Sequence, residues 1–86
     1  MSRTSNPIIY FYTKNNCKLC EDAKQLLQVF QMDYNFTIFE QNIYQKEQLL
    51  EKYFLAIPVI RIGDDELTAE DISFVTIERF LQEHLA

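Results

Sequence analysis

The stretch TKNNCKLCEDAKQLL, Thr13 to Leu27, holds the only two cysteines of the chain, Cys17 and Cys20. Two thiols at that spacing have three uses: dithiol–disulfide exchange, half of a metal site, or packing as small apolar side chains. Exchange needs one thiol that ionises readily, because the thiolate is the attacking species. It also needs a second thiol close enough to resolve a mixed disulfide. The surrounding pattern suits both needs. An apolar run ends just before the pair and a helical pattern begins at Lys18, which places Cys17 at the first helical position. Cys20 then lies one turn on and on the same side. Unpaired backbone N–H groups and the positive end of the helix dipole favour a thiolate there. Lys14 and Lys18 add to that preference, and Glu21 and Asp22 oppose it. A zinc site needs four ligands, and the one histidine is His84, near the C-terminus; a metal site within one chain is therefore not expected. His84 reads as a solvated or partly packed residue of the last helical turn. Two small buried hydrophobes remain the plain structural alternative.

The elements that must position the pair follow from periodicity. Ile8 to Thr13 is β-branched and aromatic at consecutive positions, as in a strand covered on both faces. Leu19, Ala23, Leu26, Leu27 and Phe30 recur at helical steps, and Asn15 or Asn16 is the expected cap. Tyr34 to Glu40 alternates with period two and predicts an edge strand. Leu49, Leu50, Tyr53 and Phe54 predict a short helix. Val59 to Ile62, a turn at Gly63-Asp64, and Glu66 to Thr68 predict a hairpin. Phe74, Ile77, Leu81 and Leu85 mark a closing helix capped by Thr68 or Asp71. The order is βαβ, a short helix, then ββα: an α/β fold with a four-stranded mixed sheet and about three helices. The first three elements require a right-handed crossover and a parallel strand pair.

Length and composition narrow the class. The 86 residues suffice for one domain, 1–86, with 1–7 expected as a flexible segment. Apolar residues make up 48% of the chain, enough for a core without structural disulfides. The net charge of −5 argues against nucleic acid and against anionic membrane surfaces as partners. No apolar run approaches the roughly 20 residues needed to span a bilayer. The N-terminal MSRTSNP has no secretory apolar region. A cytoplasmic location and a monomer are expected, and paired cysteines there point to catalysis or metal binding.

Pro58, in FLAIPVIRIG, supplies a second signal. A proline at a strand start avoids a missing ladder hydrogen bond, and local sequence alone favours the trans form. The ordered set Lys14, Cys17-Lys18-Leu19-Cys20, Ile57-Pro58 and the hairpin from Val59 resembles a glutaredoxin-like member of the thioredoxin superfamily. The resemblance runs from Ile8 to Leu85. It implies the thioredoxin-like fold, a cis Ile57-Pro58 bond facing the cysteines, and an Ile57 backbone offered to a peptide or to glutathione. It also places Lys14 beside the thiolate and the glutathione carboxylate. The sequence departs from standard glutaredoxins at Lys18-Leu19, where Pro-Tyr is usual, and in LTAEDIS, which lacks the Gly-Gly pair that holds the γ-glutamyl end. Asp71 matches the acidic position after that pair. Weak, partial glutathione recognition is the expectation.

The function expected is a dithiol–disulfide oxidoreductase in cell redox homeostasis, with Cys17 attacking and Cys20 resolving. Its substrate would be a disulfide-bearing protein or a low-molecular-weight thiol, with no resident cofactor. Glutathione or a thioredoxin-reductase-type system would be the donor. Two alternatives stand beside it. One is a dimeric iron–sulfur carrier, in which two chains supply the thiolates a cluster needs. The other is a non-catalytic binding module on the same fold.

Overall fold

The computed structural model describes residues 7–85. The strands are β1 (Ile8–Thr13), β2 (Thr37–Asn42), β3 (Val59–Ile62) and β4 (Asp65–Leu67). The helices are α1 (Lys18–Phe30), α2 (Glu47–Tyr53) and α3 (Phe74–Leu85), with single 3₁₀ turns at Ile43–Gln45 and Ala69–Asp71. The sheet order is β2-β1-β3-β4. β1 pairs with β2 in parallel, Ile8 opposite Thr37 through Thr13 opposite Asn42. β3 is antiparallel to both β1 and β4. This is the expected mixed sheet with β2 at one edge, and the fold is thioredoxin-like α/β. Among the described residues no helix is long and apolar enough to cross a membrane.

One sheet face carries Ile9, Phe11 and Ile60, buried together with Ala23 and Leu27 of α1 and Ile77 and Leu81 of α3. These residues fix where α1 begins, and so where its first turn meets the end of β1. The other face is covered less completely. Tyr12 stacks on Tyr53 of α2 with ring centroids 4.6 Å apart, whereas Ile8 and Phe39 are about half exposed. β1 is therefore covered on both faces only toward its C-terminal end. The reason is the length of α2, seven residues, which cannot reach across the whole sheet.

Several expected boundaries move. Tyr34 does not begin a strand: its N–H donates to the Phe30 carbonyl at 2.9 Å and closes the end of α1. The strand begins at Thr37, once β1 is available as a partner, and runs on to Asn42. β4 is Asp65–Leu67 rather than Glu66 to Thr68, and Gly63 takes the turn with φ +60°, the left-handed region glycine tolerates. Neither Thr68 nor Asp71 caps α3. The Thr76 N–H donates to the Ser73 hydroxyl at 3.2 Å instead, while Thr68 precedes the separate 3₁₀ turn. Of the expected flexible segment, residues 1–6 lie outside the described residues. Pro7 is tied to the sheet, its carbonyl accepting from the Thr37 N–H at 2.9 Å.

Candidate redox site

β1 ends at Thr13 and the chain turns through Lys14, Asn15 and Asn16 into α1. Asn16 makes the turn with φ +56°, a conformation asparagine adopts more readily than most residues. Neither asparagine caps the helix. Asn16 points the chain rather than closing it, and the Asn15 Oδ1 accepts from Asn42 Nδ2 at 3.0 Å. The cap is Cys17 itself, expected as the first helical residue, and α1 begins one residue later at Lys18. Its Sγ accepts the Cys20 N–H at 3.2 Å and its carbonyl accepts the Glu21 N–H at 3.1 Å. A sulfur thus takes the place an asparagine or serine oxygen usually fills.

Cys17 and Cys20 form a disulfide, with Cα atoms 5.2 Å apart. Cys20 is 3% exposed and packed in the core. Cys17 is half-buried. Cys17 is therefore the more open residue of the pair.

The charges around the pair sort by geometry. Lys18 Nζ lies 3.1 Å from Asp22 Oδ1. That hydrogen bond, with the attraction of the same carboxylate, raises the Lys18 ammonium above its ordinary value against a small opposing effect of burial. Lys18 and Asp22 thus satisfy each other on the exposed flank of α1. A cavity of about 390 Å³ opens beside the disulfide. Lys14, Glu21, Lys24 and Glu40 supply its charges, and Asn15, Asn16, Asn42 and Gln45 its carboxamides. Lys24 Nζ is 2.7 Å from Glu40 Oε1 across the α1–β2 gap. Lys14 is in no ion pair among the described residues.

The remaining predicted residues sit elsewhere. The Ile57-Pro58 bond is cis. The register pairs Tyr12 with Val59, so Pro58 falls across from Thr13, at the sheet end from which the cysteine loop departs. Ile57 and Pro58 are buried, and neither lines the cavity. The Ile57 N–H already donates to the Tyr53 carbonyl at 3.2 Å, so a bound strand could use only its carbonyl. Asp71 lies on the second 3₁₀ turn, outside the cavity, its carboxylate accepting from the Thr68 hydroxyl at 3.3 Å. The Ala69 N–H, at a former glycine position, donates to the Ala56 carbonyl at 2.9 Å. Lys14, Cys17 and Cys20 are therefore brought together, and Ile57, Pro58 and Asp71 lie outside their cavity.

Two groups of residues escaped the sequence reading. Lys24, Glu40, Asn42 and Gln45 line the cavity because the parallel register sets Asn42 against Thr13. The signal available was the C-terminal end of β2, since parallel strands deliver their following residues to the same edge. The second group lies on the α2 face. Tyr53 hydrogen-bonds Glu66, and Arg61 Nε donates to the Tyr12 hydroxyl at 3.2 Å. Burial, then the Glu66 carboxylate, pushes the Tyr53 phenol well above its ordinary value. His84 Nε2 lies 3.1 Å from Asp65 Oδ2, linking the end of α3 to β4.

A four-stranded mixed sheet, a cis-proline at its end and a helix opening on a C-x-x-C disulfide define a protein of thioredoxin-like fold with a paired-cysteine site. Thioredoxin 1 from Thermosipho africanus shares the fold at TM-score 0.62 and 19% identity, over 88% of this chain and 96% of its own. A structural-genomics target protein from X. campestris superimposes at TM-score 0.74 and 22% identity, over 87% of this chain and 96% of that one. The solution structure of protein Ne2328 from Nitrosomonas europaea gives TM-score 0.74 and 26% identity, with both chains wholly covered. No curated protein matches the sequence. The family model for the glutaredoxin-like domain (DUF836) matches residues 8–85, and the chain belongs to that family.

Proposed function

We propose that the protein is a dithiol–disulfide oxidoreductase. The observation that carries this reading is the asymmetry of the pair: Cys17 is half-buried at the cap of α1, and Cys20 is 3% exposed beneath it. The Cys17 thiolate attacks one sulfur of a substrate disulfide, and the other substrate sulfur leaves as a thiolate that takes a proton. Cys20 loses its proton and attacks the Cys17 sulfur, releasing the second substrate thiol and closing the Cys17–Cys20 disulfide. Two electrons have then passed to the substrate. The Cys20 N–H, aimed at the Cys17 sulfur at 3.2 Å, favours negative charge there in the reduced state.

A dithiol donor restores the pair, and a thioredoxin-reductase-type system fits better than glutathione. Two main-chain donors that would hold glutathione, the N–H groups of Ile57 and Ala69, are spent within the protein. Asp71 could still meet a γ-glutamyl amine only at a distance from the cavity. Lys14 remains the cation for a carboxylate. The reducing cytoplasm is the compartment we assign, because the pair must be reset after every turnover.

The test is equilibration of the protein in glutathione and dithiothreitol redox buffers, with the Cys17–Cys20 disulfide quantified by mass. The expected result is one two-electron transition at a potential between about −270 and −120 mV. A pair still oxidised below about −300 mV would be a structural disulfide, and the reading would fail.

A further inference from the structure

We propose that Asn15 is a specificity-determining residue of this site, donating from its amide nitrogen to an acceptor oxygen on the substrate half held by Cys17. The proposal rests on the oxidoreductase reading above and names the class of substrate.

The direction of the Asn15 amide follows from its neighbours. The Tyr44 backbone N–H, which can only donate, points at the Asn42 side chain at 2.9 Å, so the atom it meets is Oδ1. The other end of Asn42 must then be Nδ2, a donor. It lies 3.0 Å from the Asn15 side chain, so the Asn15 atom that meets it is Oδ1. Asn15 Nδ2 is then the far end of the amide, a donor with no hydrogen bond among the described residues, and Asn15 lines the cavity together with Cys17. A backbone N–H two residues beyond β2 thereby fixes the polarity of a side chain beside the active sulfur.

The charges agree with that polarity. Glu40 is occupied by Lys24 at 2.7 Å. Lys14 is in no ion pair among the described residues. Glu21 is in no ion pair among the described residues, and it sets a limit on how strongly an anion is held. The wall next to Cys17 therefore offers the Asn15 amide and Lys14 as donors, and among the described residues no large apolar side chain lines the cavity. It suits a thiol carrying an acceptor oxygen near its sulfur and disfavours an alkyl or cationic thiol. Two sources share that chemistry: the carboxylate of a small thiol and the main-chain carbonyl of a peptide.

The reduced Cys20→Ser protein is mixed with 2-pyridyl disulfides of four thiols. These are 3-mercaptopropionate, N-acetylcysteine methylamide, ethanethiol and cysteamine. Attack of Cys17 on the thiol sulfur releases pyridine-2-thione, whose absorbance gives the rate. The same series is run with Asn15→Asp added. Aspartate keeps an acceptor for Asn42 Nδ2, removes the donors and adds a negative charge. Relative to ethanethiol, Asn15→Asp is expected to slow the acceptor-bearing substrate about tenfold, the worth of a hydrogen bond to a charged group, and to speed cysteamine. Loss confined to mercaptopropionate identifies the carboxylate source, and loss confined to the methylamide identifies the peptide. Unchanged ratios, or one uniform fall across all four, would overturn the proposal, since Asn15 would then act only through loop structure. If Cys17 reacts no faster than a free thiol with every substrate, the oxidoreductase reading falls and this inference falls with it.

Discussion

Reduction of the Cys17–Cys20 disulfide is expected to leave the protein folded and to cost little stability. The bridge spans a sequence separation of three, so it closes a loop of only four residues. Loop-closure entropy grows with the logarithm of loop length, and a loop this short corresponds to about 2 kcal/mol at 25 °C. Reduction also restores something. The freed Cys17 sulfur keeps the Cys20 N–H at the cap of α1, and a thiolate there gains from the helix dipole. Cys20 stays in the core, where a thiol behaves as a small hydrophobe. The main core residues, Ile9, Phe11, Leu27, Ile60, Ile77 and Leu81, do not depend on the bridge. About 2 kcal/mol is thus an upper bound, equal to a fall of about 8–16 °C in the melting midpoint for a domain of this size. Thermal and urea unfolding, each with and without an excess of a phosphine reductant, measures it directly. A reduced protein that is unfolded at 25 °C, or that loses more than about 4 kcal/mol, would place the pair among structural disulfides. That result would refute the exchange chemistry, because a pair that holds the fold together cannot be opened at every turnover.

Cys17→Ser is expected to abolish disulfide reduction, whereas Cys20→Ser keeps the first attack and accumulates a mixed disulfide at Cys17; mass spectrometry of the adduct distinguishes them. Tyr53→Phe removes the donor to Glu66 and is expected to cost about 1–3 kcal/mol in urea unfolding. The same tyrosine has a pH signature. Its ordinary value is 10.0 and folding raises it, so above pH 10 the unfolded chain has lost a proton that the folded one keeps. Stability contributed by the protonated phenol therefore falls as pH rises through 10, and Tyr53→Phe should show a shallower loss between pH 9 and 11. Leu27→Ala, at a fully buried position under α1, is expected to cost about 2–5 kcal/mol. Alkylation of Cys17 in the folded variant should keep its wild-type rate, since the cavity residues are untouched.

Much of the site was legible in the sequence because its chemistry is local. The C-x-x-C pair, the run that becomes β1 and the helical stripe of Ala23, Leu27 and Phe30 lie within 25 residues, and each is dictated by period and residue type. The hairpin was legible for the same reason, from Gly63 and the β-branched run before it. Boundaries were less so. Tyr34 carries a strand pattern but is taken by the end of α1, and Asn15 and Asn16 are good caps that the fold uses for other purposes. In both cases local preference was worth about 1 kcal/mol, small enough for a tertiary partner to redirect.

Sequence alone determined that a thiol pair opens a helix after an apolar strand, and that a proline begins a later strand. Those facts depend on spacing along one chain. Tertiary structure decided which charges and which amides line the cavity beside the thiols. Lys18 is adjacent to Cys17 in sequence, yet turns to Asp22. Glu40, 23 residues from Cys17, lines its cavity with Lys24 held against it. The cause is the parallel β1–β2 register, which sets Asn42 beside Thr13 and fixes the Asn15 amide through the Tyr44 N–H. Register is a property of two strands and the helix between them, whose buried residues Phe11 and Leu27 share one core, and no single segment contains it.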